Sequence, residues 1–364
     1  MQLGDLGADV VKIEEPGRGD ESRSYGPPFL GGESAYFLSI NRNKRSCAID
    51  LKSDAGKDLI LRLASVADVI VENFRPGAME RLGLGYDALA KVNDRLILCG
   101  ISGFGRTGPD AERPGYDLIV QGESGVMDIT GRPDDPPTKV GTSIADLVAG
   151  LYASQAVLAA LRQRDRTGKG GRVDVSMLDA MASLLTFNAG MYFATGQSPP
   201  RRGNTHRTIS PYETFEASDG WINLGAANEK FWGLLCEVLG RPELLADPRF
   251  TRAPGRASHR ELLRSLLQPV FKSQSRRHWS RLLGEAGIPC GEIRTVGEVC
   301  EASQLTERGA VRAHDHPAAG SVRYVATAIR FADQPPPDAR RPPCSESTRR
   351  KFLRNGWASA KAKR

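Results

Sequence analysis

Four short apolar runs in the first hundred residues, alternating with helical patterns, limit what this chain can become. They are ADVVKIE (8–14), SCAIDL (46–51), DVIVENF (68–74) and RLILCGIS (95–102). Between the second and third, SDAGKDLILRLASVA places Leu59, Leu61, Leu63 and Ala64 behind Ser53 and Asp54, either of which can cap a helix. Strand–helix–strand repetition with almost continuously apolar strands predicts a parallel sheet covered on both faces by helices, an α/β fold.

With 364 residues the chain is long enough for two domains, and its composition changes after residue 195. TGQSPPRRGNTHRTISPY (195–212) is rich in Pro, Gly and polar residues and reads as a linker or mobile loop. YETFEASDGWINLGA then alternates about a Ser-Asp-Gly turn, as a hairpin does. Helices are predicted at 229–240, 257–273, 276–287 and 296–303, making a second, smaller α+β domain. Two late strands, near SVRYVA and IRFAD, are expected to return to the first domain, and the Pro- and Arg-rich stretch from Pro335 is expected to be poorly ordered.

The formal charge of +7 is concentrated at the end of the chain. From Arg340 to Arg364 nine Lys or Arg face one acid, a surplus of eight, which leaves the rest near neutral (7 − 8 = −1). Without zinc-finger spacing or an aromatic-rich RNA signature, no nucleic-acid partner is expected. The six cysteines form no C-x-x-C pair and read as reduced thiols of a cytoplasmic protein, and no charged segment leads into an apolar signal region. The most apolar run, Ile144 to Leu161, is broken by Asp146, Ser154 and Gln155; it reads as a buried helix, so no membrane partner is expected.

Few residues carry recognisable chemistry. GFGRTG (103–108) has the G-x-G-x-x-G spacing and follows a strand, but Pro109 comes next and no helix opens to meet a pyrophosphate, so an ordinary tight loop is expected. The HDH at 314–316 is placed in a polar turn without Cys or Glu neighbours, and no metal site is expected. No G-x-S-x-G nucleophile signature occurs. That leaves Asp146, at the start of the apolar run. It can be a helix cap, offsetting unpaired amides, or a covalent nucleophile, with Ala145, Ala149 and Gly150 giving a ligand room to approach. Its residues alone leave both roles open.

The ordered series LGADVVKIEEP, NRNKRSCAIDL, DVIVENFRPGAMERLGLGYD, ISGFGRTGP, RPGYDLIVQGESGVM and RTGKGGRVDVSMLDA resembles the CaiB/BaiF family, the class III CoA-transferases, over residues 1 to 332. The resemblance implies transfer of CoA from an acyl-CoA thioester to a free carboxylic acid, through a mixed anhydride and an aspartyl-CoA thioester, with no metal or redox cofactor and with CoA entering as substrate. The family's aspartate lies thirty residues after the aromatic or His position of the GYD segment; Tyr116 plus thirty is Asp146. The positions matching the family's CoA contacts are Ile49, Lys52, Asn73, Phe74, Arg81, Leu82, Gly115 and Tyr116, with Met177 towards the acyl end. His206, in the loop that aligns with a glycine run in some members, is a candidate contact for an acyl carboxylate.

The implied architecture is an interlocked homodimer. Each chain has a large Rossmann-like CoA-binding domain, its first part at 1–195, a linker or gating loop at 196–215, and a small α+β domain at 216–305. A return segment at 306–340 and a basic, disordered tail at 341–364 follow. Related α-methylacyl-CoA racemases carry a His in place of Tyr116 and a Glu near Asn228; without that acid–base pair a transferase is favoured over a racemase. Family members usually begin one strand earlier, with a segment of the LDLTRVLAGP type. A misassigned or truncated start is therefore expected, the alternative being a CoA-binding protein left inactive.

Overall fold

The computed structural model describes residues 1–333 and 339–344, folded as two compact units. The first takes Met1–Ser124, Gly141–Leu184 and the chain from Cys300; the second takes Gly125–Val140 and Leu185–Val299.

In the first unit the predicted strands form as parallel ladders, in two pieces that share no ladder among the described residues. Val10–Glu14 pairs with Lys44–Ala48. Ile97–Ser102 lies between Val69–Glu72 and Gly171–Ser176. Ile97, Leu98 and Cys99 are all buried, which is why this central strand reads as an unbroken apolar run and not as an alternation. The helix Asp54–Ala64 starts where Ser53 accepts the Gly56 N–H at 3.1 Å. It turns Ile60 and Ala64 into a core shared with Leu84, Leu89, Leu96 and Leu98. Full burial of a side chain the size of Ile60 contributes about 1.5–3 kcal/mol.

The long helix Ile144–Thr167 packs on the strands Ile97–Ser102 and Gly171–Ser176 and on the helices Asp117–Glu123 and Met177–Ala182. Only one face is covered, by way of Ala145, Val148, Ala149, Ala153 and Val157. Leu147, Leu151 and Leu158 are 45–48% exposed, which corrects the expectation of a buried helix. Among the described residues it is the one helix long and apolar enough to cross a membrane by length and composition. Apolar content revealed that this helix seeks cover on most sides, but not that the chain itself supplies only one.

The late hairpin also departs from expectation. Gly320–Val325 pairs antiparallel with Val311–His316, and residues 329–333 form no strand. The HDH segment is therefore strand, not polar turn: alternation points His314 and His316 to one side, where His316 is buried, and exposes Asp315 on the other. Residues 345–364 of the basic tail lie outside the described residues. Residues 339–344 are held against Asn43. Asn43, in a left-handed conformation at φ 62°, accepts the Arg340 N–H on its Oδ1 at 2.6 Å, and its own N–H bonds the Arg340 carbonyl at 2.9 Å.

In the second unit the hairpin Tyr212–Ala217/Gly220–Gly225 gains a third antiparallel strand, Cys290–Glu292. The helices Glu229–Val238, Arg260–Lys272, Arg276–Glu285 and Val296–Cys300 form close to their predicted places. The main segment of this unit runs from Leu185 to Val299, taking in the 196–215 stretch as well as the predicted small domain. It draws in 125–140 through long-range contacts such as Gly203 N–H to the Gly131 carbonyl at 2.8 Å, which no local pattern signals. Its core centres on Phe271, whose ring lies 4.6 Å from Phe215 and 5.2 Å from Trp279, centroid to centroid. Trp279 also donates its indole N–H to the Phe271 carbonyl at 2.7 Å. Phe271→Ala is expected to destabilise this unit by about 3–5 kcal/mol, measured by urea unfolding followed through tryptophan fluorescence; a loss below about 1 kcal/mol would show that the ring cluster is not its core.

Candidate active site

The sequence-predicted residues gather, with few exceptions, just past the carboxyl ends of the parallel strands, where ligands of open α/β sheets bind. Ile49 and Lys52 follow Lys44–Ala48; Asn73 and Phe74 follow Val69–Glu72; Met177 follows Gly171–Ser176. Gly115 and Tyr116 end the loop that leaves Ile97–Ser102. Arg81 and Leu82 close the short helix Ala78–Arg81. Lys52, Asn73, Phe74, Arg81 and Tyr116 are exposed, and Leu82 and Gly115 are half-buried. Ile49 and Met177 are 5% and 4% exposed, so they support the surface from below and offer a ligand little side chain. Asn73 donates a side-chain amide N–H to the Ile101 carbonyl at 2.7 Å.

Asp146 does not cap its helix. The helix begins at Ile144, with Ser143 in the cap position making no side-chain bond, and Asp146 is its third residue. The capping acceptor comes from elsewhere: Asp117 Oδ1 accepts the Ala145 N–H at 2.9 Å. Buried Gln121 steadies Asp117 by donating to its Oδ2 at 2.7 Å. The bond from Ala145 to Asp117 also brings Tyr116 and Asp146, each next to one of its ends, to the same helix mouth. Asp146 itself is exposed, and no hydrogen bond or ion pair holds its carboxylate among the described residues. Loss of hydration around the carboxyl and then the nearby Asp117 charge raise its pKa above the ordinary aspartate value. A carboxylate so placed is more basic and a better nucleophile than a solvated one. Asp117 and Gln121 escaped the sequence reading, although Asp117 is the D of the GYD segment itself.

The helix start offers less to an oxyanion than its dipole suggests. The Ile144 N–H bonds the Thr142 carbonyl at 2.8 Å, Ala145 is taken by Asp117, and Leu147 bonds the Ser143 carbonyl at 3.0 Å. Two shallow hollows in this unit, one lined by Asp5, Arg42 and Tyr324 and the other by Glu14, Arg18 and Ser46, include none of the candidates. Most of the candidate side chains, Asp146 among them, lie exposed on the surface of the chain. His206 lies in the second unit, its ring 5.3 Å from that of Tyr212 and its Nδ1 accepting the Thr208 N–H at 3.2 Å. Asn228, the position of the racemase acid, caps the helix Glu229–Val238 by accepting the Phe231 N–H at 2.9 Å.

Against expectation, His316 does meet a Cys and a Glu: Glu33, His316 and Cys344 bring their ligand atoms within 4.8 Å of one another. The folding of HDH into a strand, and the return of the chain at 339–344, create this group. His316 Nδ1 accepts the Ala318 and Ala319 N–H groups at 3.3 and 3.2 Å. The ring proton therefore sits on Nε2, the nitrogen facing Cys344 Sγ at 3.5 Å. The Arg23 guanidinium stands 3.5 Å from Glu33. A protonated nitrogen and a competing cation suit a structural anchor, and the group carries no metal assignment.

A family profile described as CoA-transferase family III matches residues 1–348. The chain belongs to CoA-transferase family III. It is an enzyme of the transferase class. Over 343 residues it is 39% identical to succinyl-CoA:glutarate CoA-transferase of Mus musculus, covering 94% of this chain and 79% of that one. It is 43% identical over 307 residues to acetyl-CoA:oxalate CoA-transferase of Acetobacter aceti, covering 84% and 79%. The crystal structure of a CaiB/BaiF family protein from Brucella suis superposes with a TM-score of 0.87 at 40% identity, covering 99% of this chain and 93% of that one. The mixed α/β fold with parallel sheets is thus the family's fold.

Asp117→Asn keeps an oxygen for the Ala145 N–H, since asparagine caps as well as aspartate, and removes the one neighbouring charge that raises Asp146. The Asp146 titration, followed by carboxyl-carbon NMR, is expected to move to lower pH; a midpoint that stays or rises would show that Asp117 does not act on it.

Proposed function

We propose that this family III CoA-transferase moves CoA from an acyl-CoA to a carboxylic acid with Asp146 as the covalent nucleophile. The observation that carries this is the exposed, unpaired Asp146 carboxylate in the first turn of a 24-residue helix whose cap is supplied by Asp117. An Asp146 oxygen attacks the thioester carbonyl, and the tetrahedral oxyanion collapses with loss of the CoA thiolate, leaving an acyl–aspartyl anhydride. The thiolate then attacks the Asp146 carbonyl of that anhydride, the donor acid leaves as carboxylate, and an aspartyl-CoA thioester remains. The acceptor carboxylate attacks this thioester to give a second anhydride and free thiolate. Attack of the thiolate on the acceptor's carbonyl yields the new acyl-CoA and restores the Asp146 carboxylate.

A carboxylate nucleophile has no O–H proton to surrender to a general base as it attacks; what the site must supply is proximity. Lys52 and Arg81 are the cations available to the CoA phosphates, Phe74 the ring available to adenine, and Asn73 and the Gly115–Tyr116 backbone the polar contacts. Dicarboxylic acids of the kind named for the relatives, glutarate and oxalate, are the acceptors to try first.

A homodimer fits the protomer's surface. Leu147, Leu151 and Leu158 on the long helix, together with Tyr116, Leu118 and Ile119 on the segment that caps it, lie exposed. In the second unit the helix Thr186–Thr195 buries none of its residues. Apolar surface of this extent calls for cover, and a second copy is the cover we propose. A cytoplasmic setting accords with six cysteines that form no disulfide.

Asp146→Asn is expected to lose transfer activity by at least about 10³-fold while binding CoA within about threefold of wild type. Wild-type protein given acyl-CoA without acceptor should show an adduct on the Asp146 peptide by mass spectrometry. An active Asp146→Asn, or an adduct elsewhere, would refute the assignment. In sedimentation the wild type should run at twice the monomer mass and Leu151→Glu should shift towards monomer; a monomeric wild type rules the dimer out.

A further inference from the structure

The Gly103–Gly108 loop, whose G-x-G-x-x-G spacing opens no helix, is left without a task by the chemistry above. Its contacts give it one. Glu72 ends the strand Val69–Glu72, and its side chain is only 3% exposed. One carboxylate oxygen accepts the Phe74 N–H at 2.7 Å, and the other is bonded by the Arg106 guanidinium from the middle of the loop. Glu80 at 3.8 Å and Asp174 at 4.0 Å face the same guanidinium. Three carboxylates around one cation leave an excess of negative charge. Arg106 is therefore committed to protein groups and is not a candidate for CoA phosphate.

The same loop reaches the ends of the neighbouring strands. Asp174, on Gly171–Ser176, accepts the Arg106 N–H at 3.0 Å, and the Gly103 carbonyl accepts the Leu178 N–H at 2.9 Å, one residue past Met177. Gly103 and Gly115 lie back to back: a Cβ on either would stand 2.7–2.8 Å from the other's Cα, closer than carbon atoms pack. With Asn73 bonded to the Ile101 carbonyl just before the loop, every strand-end segment of the candidate site in this three-stranded sheet is tied to residues 101–106.

We propose that Arg106 is a positioning residue: through Glu72 it fixes the Asn73–Phe74 segment, so that the GFGRTG loop aligns the CoA-facing strand ends without touching CoA. This rests on the CoA-binding reading of those segments. Without Arg106, Glu72 is a buried carboxylate lacking its cation; it must take a proton or turn outward, and the Phe74 amide loses its acceptor. Misplacement of a binding segment by about an ångström is enough to cost tenfold or more.

The test compares kcat/KM for a CoA thioester with that for the matching pantetheine thioester, which lacks the nucleotide that Asn73 and Phe74 would meet. It also measures CoA binding by calorimetry. In Arg106→Leu and in Glu72→Ala the CoA-to-pantetheine ratio is expected to fall by about tenfold or more, and the double variant should be no worse than the poorer single one. General loss of structure would lower both substrates together and leave the ratio unchanged. Should Arg106→Leu not fold, Arg106→Lys, which keeps the charge but not the planar fork, is read in the same way. An unchanged ratio, with CoA binding intact in the wild type, overturns this inference alone. A fall in the Arg106 variant with none in Glu72→Ala would mean that Arg106 meets phosphate itself, and overturns it too. A wild type that does not bind CoA removes the reading of the site and this inference with it.

Discussion

The hydrogen bond from the Ala145 amide to the Asp117 carboxylate settles the start of the long helix with an acceptor 28 residues away in sequence. Helix N-termini need acceptors, and a nearby Asp is the ordinary source. Here the nearby Asp is spared that duty. Asp146 keeps its carboxylate unpaired, inside the first turn and beside a second negative charge, an arrangement that disfavours the ionised form. Such a placement costs stability at the mouth where the parallel strands end. The proposed acyl anhydride would be uncharged at Asp146, so forming it would relieve the repulsion from Asp117.

The strands of the first unit were legible because strands covered on both faces leave a compact signature: Ile97, Leu98 and Cys99 are apolar without alternation, and a helix could not follow within so few residues. The second unit's hairpin and helices were legible through turn chemistry and periodicity. What failed depended on pairings that composition does not reveal. HDH looked like a turn because its residues are polar, yet a two-residue period is as valid for His and Asp as for Val. Its place was set by pairing with Gly320–Val325. No local pattern places 125–140 in the second unit, which it joins through contacts some seventy residues away, such as Gly131 with Gly203.

The site was legible in a different sense. The family resemblance, through its thirty-residue spacing from Tyr116, made Asp146 a candidate, and in the structure Tyr116 and Asp117 begin one helix, Ala145 and Asp146 another, with a single bond registering the two starts. The residues that do the registering, Asp117, Gln121, Glu72 and Arg106, carry no motif of their own in a single sequence. Their roles appear only when burial and hydrogen bonds are known, because each acts on a neighbour. Buried carboxylates such as Glu72 are legible only through the cation that accompanies them.

The path of the chain has a consequence for how the molecule is made. The first unit lacks its hairpin Val311–His316/Gly320–Val325 and the Arg340 contact to Asn43 until the last part of the chain has been synthesised. The second unit, apart from 125–140, is one continuous stretch ending at Val299. Ribosomal synthesis delivers residues in order, so the unit that starts first is finished last. During that interval the long helix, with its uncovered leucines, waits on a scaffold still missing a part, and it is this half of the nascent protein that most needs protection from aggregation.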